Sequence, residues 1–539
     1  MTDPTSDVDV VVLGTGASGL VAAIAAADAG ARVALLEKGA AVGGTTALSG
    51  GVVWLPGVTP GDSTDDAITY LTALANGTAD DEMVRTFVHQ ARPTVDWLHE
   101  HTPLRLALVE RYPDYHPEHP GGRPGGGRSY EPELFATADL GPWADRLVGQ
   151  VRRLLISEIP SGGGSGVIPD DVASERAQRG VEGLGRGLVA ALLQGCLDRG
   201  IEPQLNARAV GLDVVDGRVR GVTVESAAGR VQIAADAVVL ATGGFEFDAE
   251  LVRDFLRGPI SHPPGIATNT GDGLRLAMSA GAALGAMAHA WWVPVVLAEP
   301  EPGVSVPTLL LRERTLPGTL MLNSSGRRFA NEAANYNALG AAFHAFDVTR
   351  FAYANDPAWL VVDDACVQKY GVFGLPPGQV PSWLRTAETV ADLAALIGAD
   401  EPTVQDTLTR WNRSVAAGVD SEFDRGHSRY DGWCGDQRHY GTPAATLGAL
   451  GSGPFHVTRV YASALGTKGG PRTTTDGQVL AVDGTPIAGL YAAGNAMAAP
   501  TGMVYGGAGG TLGPALVFGR LAGAAAGSAV RASVATARP

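Results

Sequence analysis

DVVVLGTGASGLVAAIAAADAGARVALLEK, residues Asp9 to Lys38, decides how this chain folds. An unbroken apolar run leads into a glycine turn, an alanine-rich segment and a second apolar run. This order spells the strand, turn, helix and strand of one βαβ unit with both strands buried. Gly14, Gly16 and Gly19 make a G-x-G-x-x-G turn. The first glycine permits the sharp bend, the second lets backbone approach a pyrophosphate, and the third lets helix pack on strand. The phosphates would sit at the helix N-terminus, beside Ala17 and Ser18. Glu37 lies 18 residues beyond Gly19, where a carboxylate accepts from ribose hydroxyls and disfavours a 2′-phosphate; Lys38 follows it. A glycine-rich helix start without a ligand is the weaker alternative, because the acid also falls in its expected place.

A chain of 539 residues implies two or three domains. Net charge is −16 and only three lysines occur, Lys38, Lys369 and Lys468, which argues against nucleic acid as a partner. Cys196, Cys366 and Cys434 are too scattered for a disulfide framework or a clustered metal site, and a reduced cytoplasm is the simplest compartment. The N-terminal residues lack a basic segment followed by an apolar one, so neither an export signal nor a membrane span is expected. His116 and His119, near Asp114 and Glu118, lack helical spacing and a supporting cysteine, and no metal is expected there.

After the second strand comes a further glycine-rich stretch, Gly39 to Gly51, including Gly43, Gly44, Thr45, Ser49 and Gly50. An NAD enzyme does not need it, whereas a flavoprotein does, because the chain runs beside the pyrophosphate and flavin where bulky side chains would collide. A flexible loop is the alternative. Residues 64–101 read as helical. From Leu104 to Pro132, prolines and glycines exclude a long helix or a central strand. Short β segments follow, with a turn at Asp216-Gly217, and Ala209 and Val210 are assigned to the cofactor wall. The strand that ends at Ala241, Thr242, Gly243 and Gly244 returns the chain to the cofactor sheet. Asn269 to Gly273 precede a helix; capping by Thr270 or Asp272 and flavin contact through Asn269 and Asp272 both stand.

Residues 291–466 lose the glycine-turn logic and read as an inserted domain. The cofactor pattern resumes at Gly466 to Gly470, passes through Gly494 and Asn495, and ends in Tyr505 to Pro514, where Gly510, Thr511 and Leu512 open an alanine-rich helix. The expected fold class is therefore α/β (α+β overall). A discontinuous Rossmann-like FAD-binding domain, 1–290 and 467–539, would carry an inserted α+β catalytic domain.

The succession GTGASG, Glu37, GGTTALSGG, ATGG, NTGDG, NSSGRRFANE, GTKGG, GLYAAGN and YGGAGGTLGPA resembles the succinate dehydrogenase and fumarate reductase flavoprotein superfamily, and within it the 3-ketosteroid Δ1-dehydrogenases. Tyr115, Tyr336 and Tyr505 fall where that family places catalytic tyrosines, and Gly509 where it places a backbone donor. Succinate dehydrogenases attach FAD through a histidine where this chain has Gly44 and Thr45, so the resemblance implies noncovalent FAD. Where fumarate reductases hold a dicarboxylate with arginine, this chain offers Tyr505, which suits a neutral carbonyl. The family commonly has proline at the positions of Gly506 and Ala508, so a more flexible loop is expected here.

The resemblance implies a C1–C2 double bond made in the A ring of a 3-ketosteroid. The carbonyl oxygen would be held by the Tyr505 hydroxyl and the Gly509 amide as enolate charge develops, each such donor contributing about 3–4 kcal/mol. Tyr336 would take the α proton, aided by a hydrogen bond from Tyr115, and flavin N5 would accept the hydride. Read as ordinary packing residues, the tyrosines would have no such role. Trp291, Trp292 and Pro294 line or abut an apolar pocket or belong to the core, and Lys468 reads as structural. The alternatives are a related flavoenzyme acting on another cyclic ketone, a ketosteroid 4,5-dehydrogenase, or a non-catalytic flavin- or steroid-binding protein. The electron acceptor is unidentified. Loose association with a membrane surface stays open, since an apolar substrate would make it useful.

Overall fold

The computed structural model describes residues 8–227 and 229–536. The ends of the expected cofactor domain, 1–7 and 537–539, lie outside the described residues, as does the first part of the N-terminal segment in which no export signal was read. Val10–Leu13 forms the expected buried strand and pairs in parallel with Val33–Leu36 on one side and Ala237–Leu240 on the other. A parallel strand covered on both faces must be apolar throughout, and burying each Val or Leu contributes about 1.5–3 kcal/mol. Pro486–Ala492 adds a fourth parallel strand beside Ala237–Leu240, and Gln478–Leu480 closes the five-stranded sheet antiparallel. One sheet is thus assembled from both ends of the chain.

The helix Ala17–Asp28 is buried from Ala17 to Ala26, and the long helix Leu512–Thr536 lies against it. Their approach explains the late glycines. A Cβ on Gly519 would stand 2.7 Å from the Ser18 carbonyl, and one on Gly523 would overlap the Ala22 carbonyl. The glycine spacing of four keeps them on one helix face.

The region 64–101 resolves into two helices, Thr64–Ala75, capped by Ser63, and Asp81–His101, capped by Asp80. Ser63 and Asp80 satisfy backbone N–H groups at the helix starts. The expectation of no central strand between Leu104 and Pro132 needs correction at its end. Ser129–Pro132 is the middle strand of a small sheet, between Val53–Trp54 and Leu106–Leu108. It is tolerated because Val53–Trp54 pairs only with Tyr130 and Ser129, so Pro132 has a strand neighbour on one side alone, as on an edge strand. The β segments after residue 205 form an antiparallel meander, Arg208–Val215, Arg218–Ser226 and Gly229–Ala234, turning at Asp216 and Gly217 as expected.

A second, six-stranded sheet is built on Ala290–Glu301 and Phe455–Thr467, which pair antiparallel. The first of these also pairs with Val304–Leu309; the second pairs with Ala358–Asp363, itself paired with Thr319–Asn323. Two apolar cores flank this sheet, one including Leu339, Phe343 and Leu360, the other Leu393, Leu408 and Trp411. A third cluster, rich in tyrosine, joins residues of the cofactor region and of this sheet: Tyr112, Tyr115, Trp291, Tyr336, Tyr430 and Tyr505.

Candidate active site

One continuous cleft, with a cavity volume of about 310 Å³, runs from the glycine turn to the tyrosine cluster. At the first end Gly14 has φ +106°, and a Cβ there would overlap the Ala241 carbonyl. Only glycine fits both demands. Gly16 is different: its added Cβ would meet Thr46 Oγ1 at 3.5 Å, so the open backbone surface above it is available to a pyrophosphate. Glu37 Oε2 accepts from the Thr15 N–H (3.1 Å) and hydroxyl (2.6 Å), and Oε1 from the Gly39 N–H (2.7 Å). These donors fix the carboxylate at the cleft edge.

Lys38 Nζ donates to Thr270 Oγ1 (2.7 Å) and Asp272 Oδ2 (2.9 Å). Burial opposes the charge of Asp272, yet hydrogen bonds from Arg208 and Lys38 hold its carboxyl below the usual range. The capping expectation is corrected here. The following helix starts from Gly271 in the left-handed region, φ +71°, with no side-chain cap, because Thr270 and Asp272 are engaged by Lys38.

Among the residues assigned to the cofactor, Gly14, Gly16, Ala17, Ser18, Glu37, Lys38, Gly44, Thr45, Ser49, Gly50, Gly51, Ala209, Ala241, Thr242, Gly243, Asn269, Asp272, Gly494, Asn495, Thr511 and Leu512 line the cleft. Gly19, Gly43, Val210 and Gly510 do not. A Cβ on Gly19 would overlap the Gly14 carbonyl, so its place is under the turn, and one on Gly510 would stand 2.7 Å from the Tyr505 ring. Val210 sits at the register shift between Ala209 and Gly211, where the strand leaves regular pairing, and is not part of the cleft wall. Glu246 escaped the sequence reading. It is buried and accepts from Asn269 Nδ2 (2.6 Å), which also donates to Thr45 Oγ1 (3.0 Å). Burial pushes the Glu246 carboxyl up to about 7.

At the other end Tyr115 donates its hydroxyl to that of Tyr336 at 2.7 Å. Ring centroids of Tyr115, Tyr336 and Tyr505 form an edge-to-face triangle with sides of 5.1, 5.3 and 5.4 Å. Tyr336 opens the helix Tyr336–Ala342, whose cap, Asn335, accepts from the Ala338 N–H and donates to the Tyr115 carbonyl (3.2 Å). Burial raises the pKa of Tyr336 well above the ordinary tyrosine value, and the hydrogen bond from Tyr115 works in the opposite direction. Tyr505 is raised for the same first cause and accepts from Thr511 Oγ1 (3.3 Å). Gly509, at φ +93°, lines the cleft beside it.

The turn at Gly506 and Ala508, expected to be more flexible without proline, is held by hydrogen bonds from other segments. The Gly506 carbonyl accepts from the Tyr70 hydroxyl (2.7 Å) and the Tyr115 N–H (2.9 Å). Ser129 Oγ donates to the Ala508 carbonyl (3.0 Å), and the Trp54 N–H to that of Gly509 (3.0 Å). External donors anchor what proline would have stiffened.

Trp291, Trp292 and Pro294 do not line the cleft. Trp291 abuts it through the Tyr505 ring (4.9 Å), and its Nε1 donates to Asn495 Oδ1 (3.0 Å). Trp292 packs on Gly340 and His344. The apolar wall comes instead from Val52, Ile156, Leu309, Leu311 and Leu465. These isolated aliphatic residues carry no motif, so no local pattern could have singled them out. Lys468 is buried, donates to the carbonyls of Gly502 (3.0 Å) and Val504 (2.6 Å), and lies 3.9 Å from the Trp291 ring centroid. It pins the turn that leads into Tyr505.

No group of three His, Cys, Asp or Glu side chains placed to hold a metal occurs among the described residues. Nor is any helix among them long and apolar enough to cross a membrane. His116 is tied to Asn335 Nδ2 (3.1 Å), and burial pushes its pKa down to about 4.

The sheet, the glycine turn and the fixed carboxylate define a dinucleotide-binding protein of the flavoprotein class. Residues 9–512 match the FAD binding domain family, and the chain belongs to that family. It is 38% identical over 536 residues to 4-oxocyclohexanecarboxylate 2-dehydrogenase of Sinomonas cyclohexanicum, covering 96% of this chain and 93% of the relative. It is 36% identical over 566 residues to 3-oxosteroid 1-dehydrogenase of Mycolicibacterium smegmatis, covering 95% and 96%. Among solved structures, 3-ketosteroid Δ1-dehydrogenase of Sterolibacterium denitrificans in complex with 1,4-androstadiene-3,17-dione superposes with a TM-score of 0.87 at 33% identity, covering 97% of this chain and 99% of that one. The likeness noticed in the motifs therefore extends along the whole chain. FAD fits the cleft: Gly16 and Gly44 leave its floor open to a close approach by the pyrophosphate.

Proposed function

We propose that this protein is an FAD-dependent 3-ketosteroid Δ1-dehydrogenase that introduces a C1–C2 double bond into the A ring. The observation that carries the reading is the Tyr115–Tyr336 hydroxyl pair at 2.7 Å, packed against Tyr505 in the same cleft as the dinucleotide turn. Desaturation beside a ketone requires loss of an α proton and of a hydride from the β carbon. When bound, FAD supplies the hydride acceptor. Tyr505 and the Gly509 amide hold the carbonyl oxygen and stabilise enolate charge. Tyr336, as its phenolate, takes the α proton and becomes the phenol; the hydroxyl of Tyr115 stabilises that phenolate before the transfer.

The substrate is neutral in this reading. Lys38 is the one lysine or arginine among the described residues lining the cleft, and it is engaged by Thr270 and Asp272 at the dinucleotide end. Among the described residues no lysine or arginine lines the tyrosine end of the cleft, and burying a ring carboxylate there unpaired would be strongly unfavourable. The 38% identical relative supports a second reading, a cyclic ketone smaller than a steroid. Noncovalent FAD belongs to the proposal, because Gly44 and Thr45 offer no histidine for attachment. So do the division into a cofactor domain (1–290, 467–539) and an inserted domain (291–466), supported by their separate cores, and a cytoplasmic location, supported by three free buried cysteines.

Anaerobic mixing with a panel of 3-ketosteroids and with 4-oxocyclohexanecarboxylate tests the reading. Bleaching of the flavin spectrum by the steroids, with a 1,2-unsaturated product, is expected. Faster bleaching by the carboxylate would overturn the steroid assignment, and no bleaching by any ketone would overturn the dehydrogenase assignment.

A further inference from the structure

Trp54 is 1% exposed and lies directly beneath the turn that carries Tyr505 and Gly509. A Cβ on Gly506 would stand 2.8 Å from its ring, and one on Gly507 would overlap the indole nitrogen. The Trp54 backbone N–H donates to the Gly509 carbonyl (3.0 Å), and the indole Nε1 to Asp114 Oδ1 (2.9 Å). Asp114 Oδ2 in turn accepts from Arg128 Nη1 (2.8 Å) and the Arg123 N–H (3.0 Å). Arg128 also donates from Nε and Nη2 to Asp62 (2.9 and 2.8 Å).

Three charged side chains, Asp62, Asp114 and Arg128, are thus buried together, an arrangement tolerable only when each is paired. Where the network meets the substrate end of the cleft, its outlet is the indole wedge. Donors to a developing oxyanion act only when their spacing is fixed beforehand. A loop with glycine at 506, 507, 509 and 510 cannot fix that spacing from its own backbone.

We propose that Trp54, locked by Asp114 and Arg128, is a positioning residue that sets the spacing of the Tyr505 hydroxyl and the Gly509 amide as carbonyl donors. The inference rests on the role assigned to those two groups above. It predicts that filling the space at Gly506 and removing the wedge compensate one another.

The test uses the full-length FAD-loaded enzyme and the variants Trp54→Phe, Gly506→Ala, the double variant and Asp114→Asn. Affinities for 2-naphthol, a planar phenol that mimics the enolate, and for naphthalene, which lacks the oxygen, are read from the flavin spectrum. Trp54→Phe and Asp114→Asn are expected to weaken 2-naphthol about tenfold while leaving naphthalene within about twofold, with flavin content unchanged. Gly506→Ala is expected to slow flavin reduction by a ketosteroid about tenfold alone but less than about threefold on top of Trp54→Phe. Equal weakening of both ligands, or an equal effect of Gly506→Ala in both backgrounds, would overturn the proposal. If no ketone reduces the wild type, the functional reading falls instead. The naphthol selectivity still decides the positioning role, and it does so through Asp114→Asn if Trp54→Phe does not fold.

Discussion

At one end of the cleft Gly14, Thr15, Gly16, Glu37 and Gly39 are near neighbours in sequence, and the hydrogen bonds that tie Glu37 to Thr15 and Gly39 are made within that one stretch. At the other end Tyr115 meets Tyr336 across 221 residues of chain, and Tyr70 reaches Gly506 across 436. The first end is a local motif that would bind a dinucleotide in many proteins. The second exists only when three remote segments converge, and it is there that our proposal puts the chemistry. A perturbation at either end should leave the other intact.

The sharpest break is Tyr336→Phe. Loss of a general base lowers rates by about 10²–10⁴-fold, and flavin reduction by a 3-ketosteroid in stopped flow should fall within that range while flavin content stays at the wild-type level. A parallel loss of FAD would mean that the two ends are not separable.

Next comes pH. Burial raises the Tyr336 pKa well above its ordinary value, so the resting phenol is protonated throughout the neutral range. The rate of flavin reduction should therefore rise with pH from about 6 to 9, by up to about tenfold per unit. A rate that is flat or falls with pH would remove Tyr336 as the base. The same shift has a stability consequence. A tyrosine whose folded pKa exceeds the unfolded value of about 10 contributes fully below that pH and loses its contribution above it.

Glu37→Gln probes the opposite end. Hydrogen bonds to a charged group are worth about 1.5–3 kcal/mol; partial replacement by the amide should raise the FAD dissociation constant about tenfold, and turnover per bound flavin should not change. Smallest is Arg208→Gln. The Arg208 side chain is 52% exposed in its pair with Asp272, and such pairs contribute less than about 1 kcal/mol. Thermal unfolding should barely move, because Lys38 remains to hold Asp272.

How much of this could be read beforehand follows the same contrast. The cofactor sheet was legible because a continuous apolar strand, a glycine turn and a spaced acid are local patterns with a single physical explanation. The tyrosines were found only through likeness to a family, since nothing in the spacing of Tyr115, Tyr336 and Tyr505 marks them. Glu246 and the aliphatic wall at Leu309, Leu311 and Leu465 were missed because each is one unremarkable residue whose role is set by distant partners. The anchors of the Gly506 turn were missed for the same reason: they come from Tyr70, Trp54 and Ser129, outside the turn.

The strand Pro486–Ala492 belongs to the same sheet as Val10–Leu13, and Gly494, Asn495, Thr511, Leu512 and Ala515 form part of the cleft wall. During synthesis the N-terminal βαβ unit therefore leaves the ribosome long before its cleft can close. Ala237–Leu240 waits without its outer neighbour, and the helix Ala17–Asp28 waits without the one that covers it. Cofactor capture is in this sense a late event in the life of the chain, deferred until the residues around 515 have emerged.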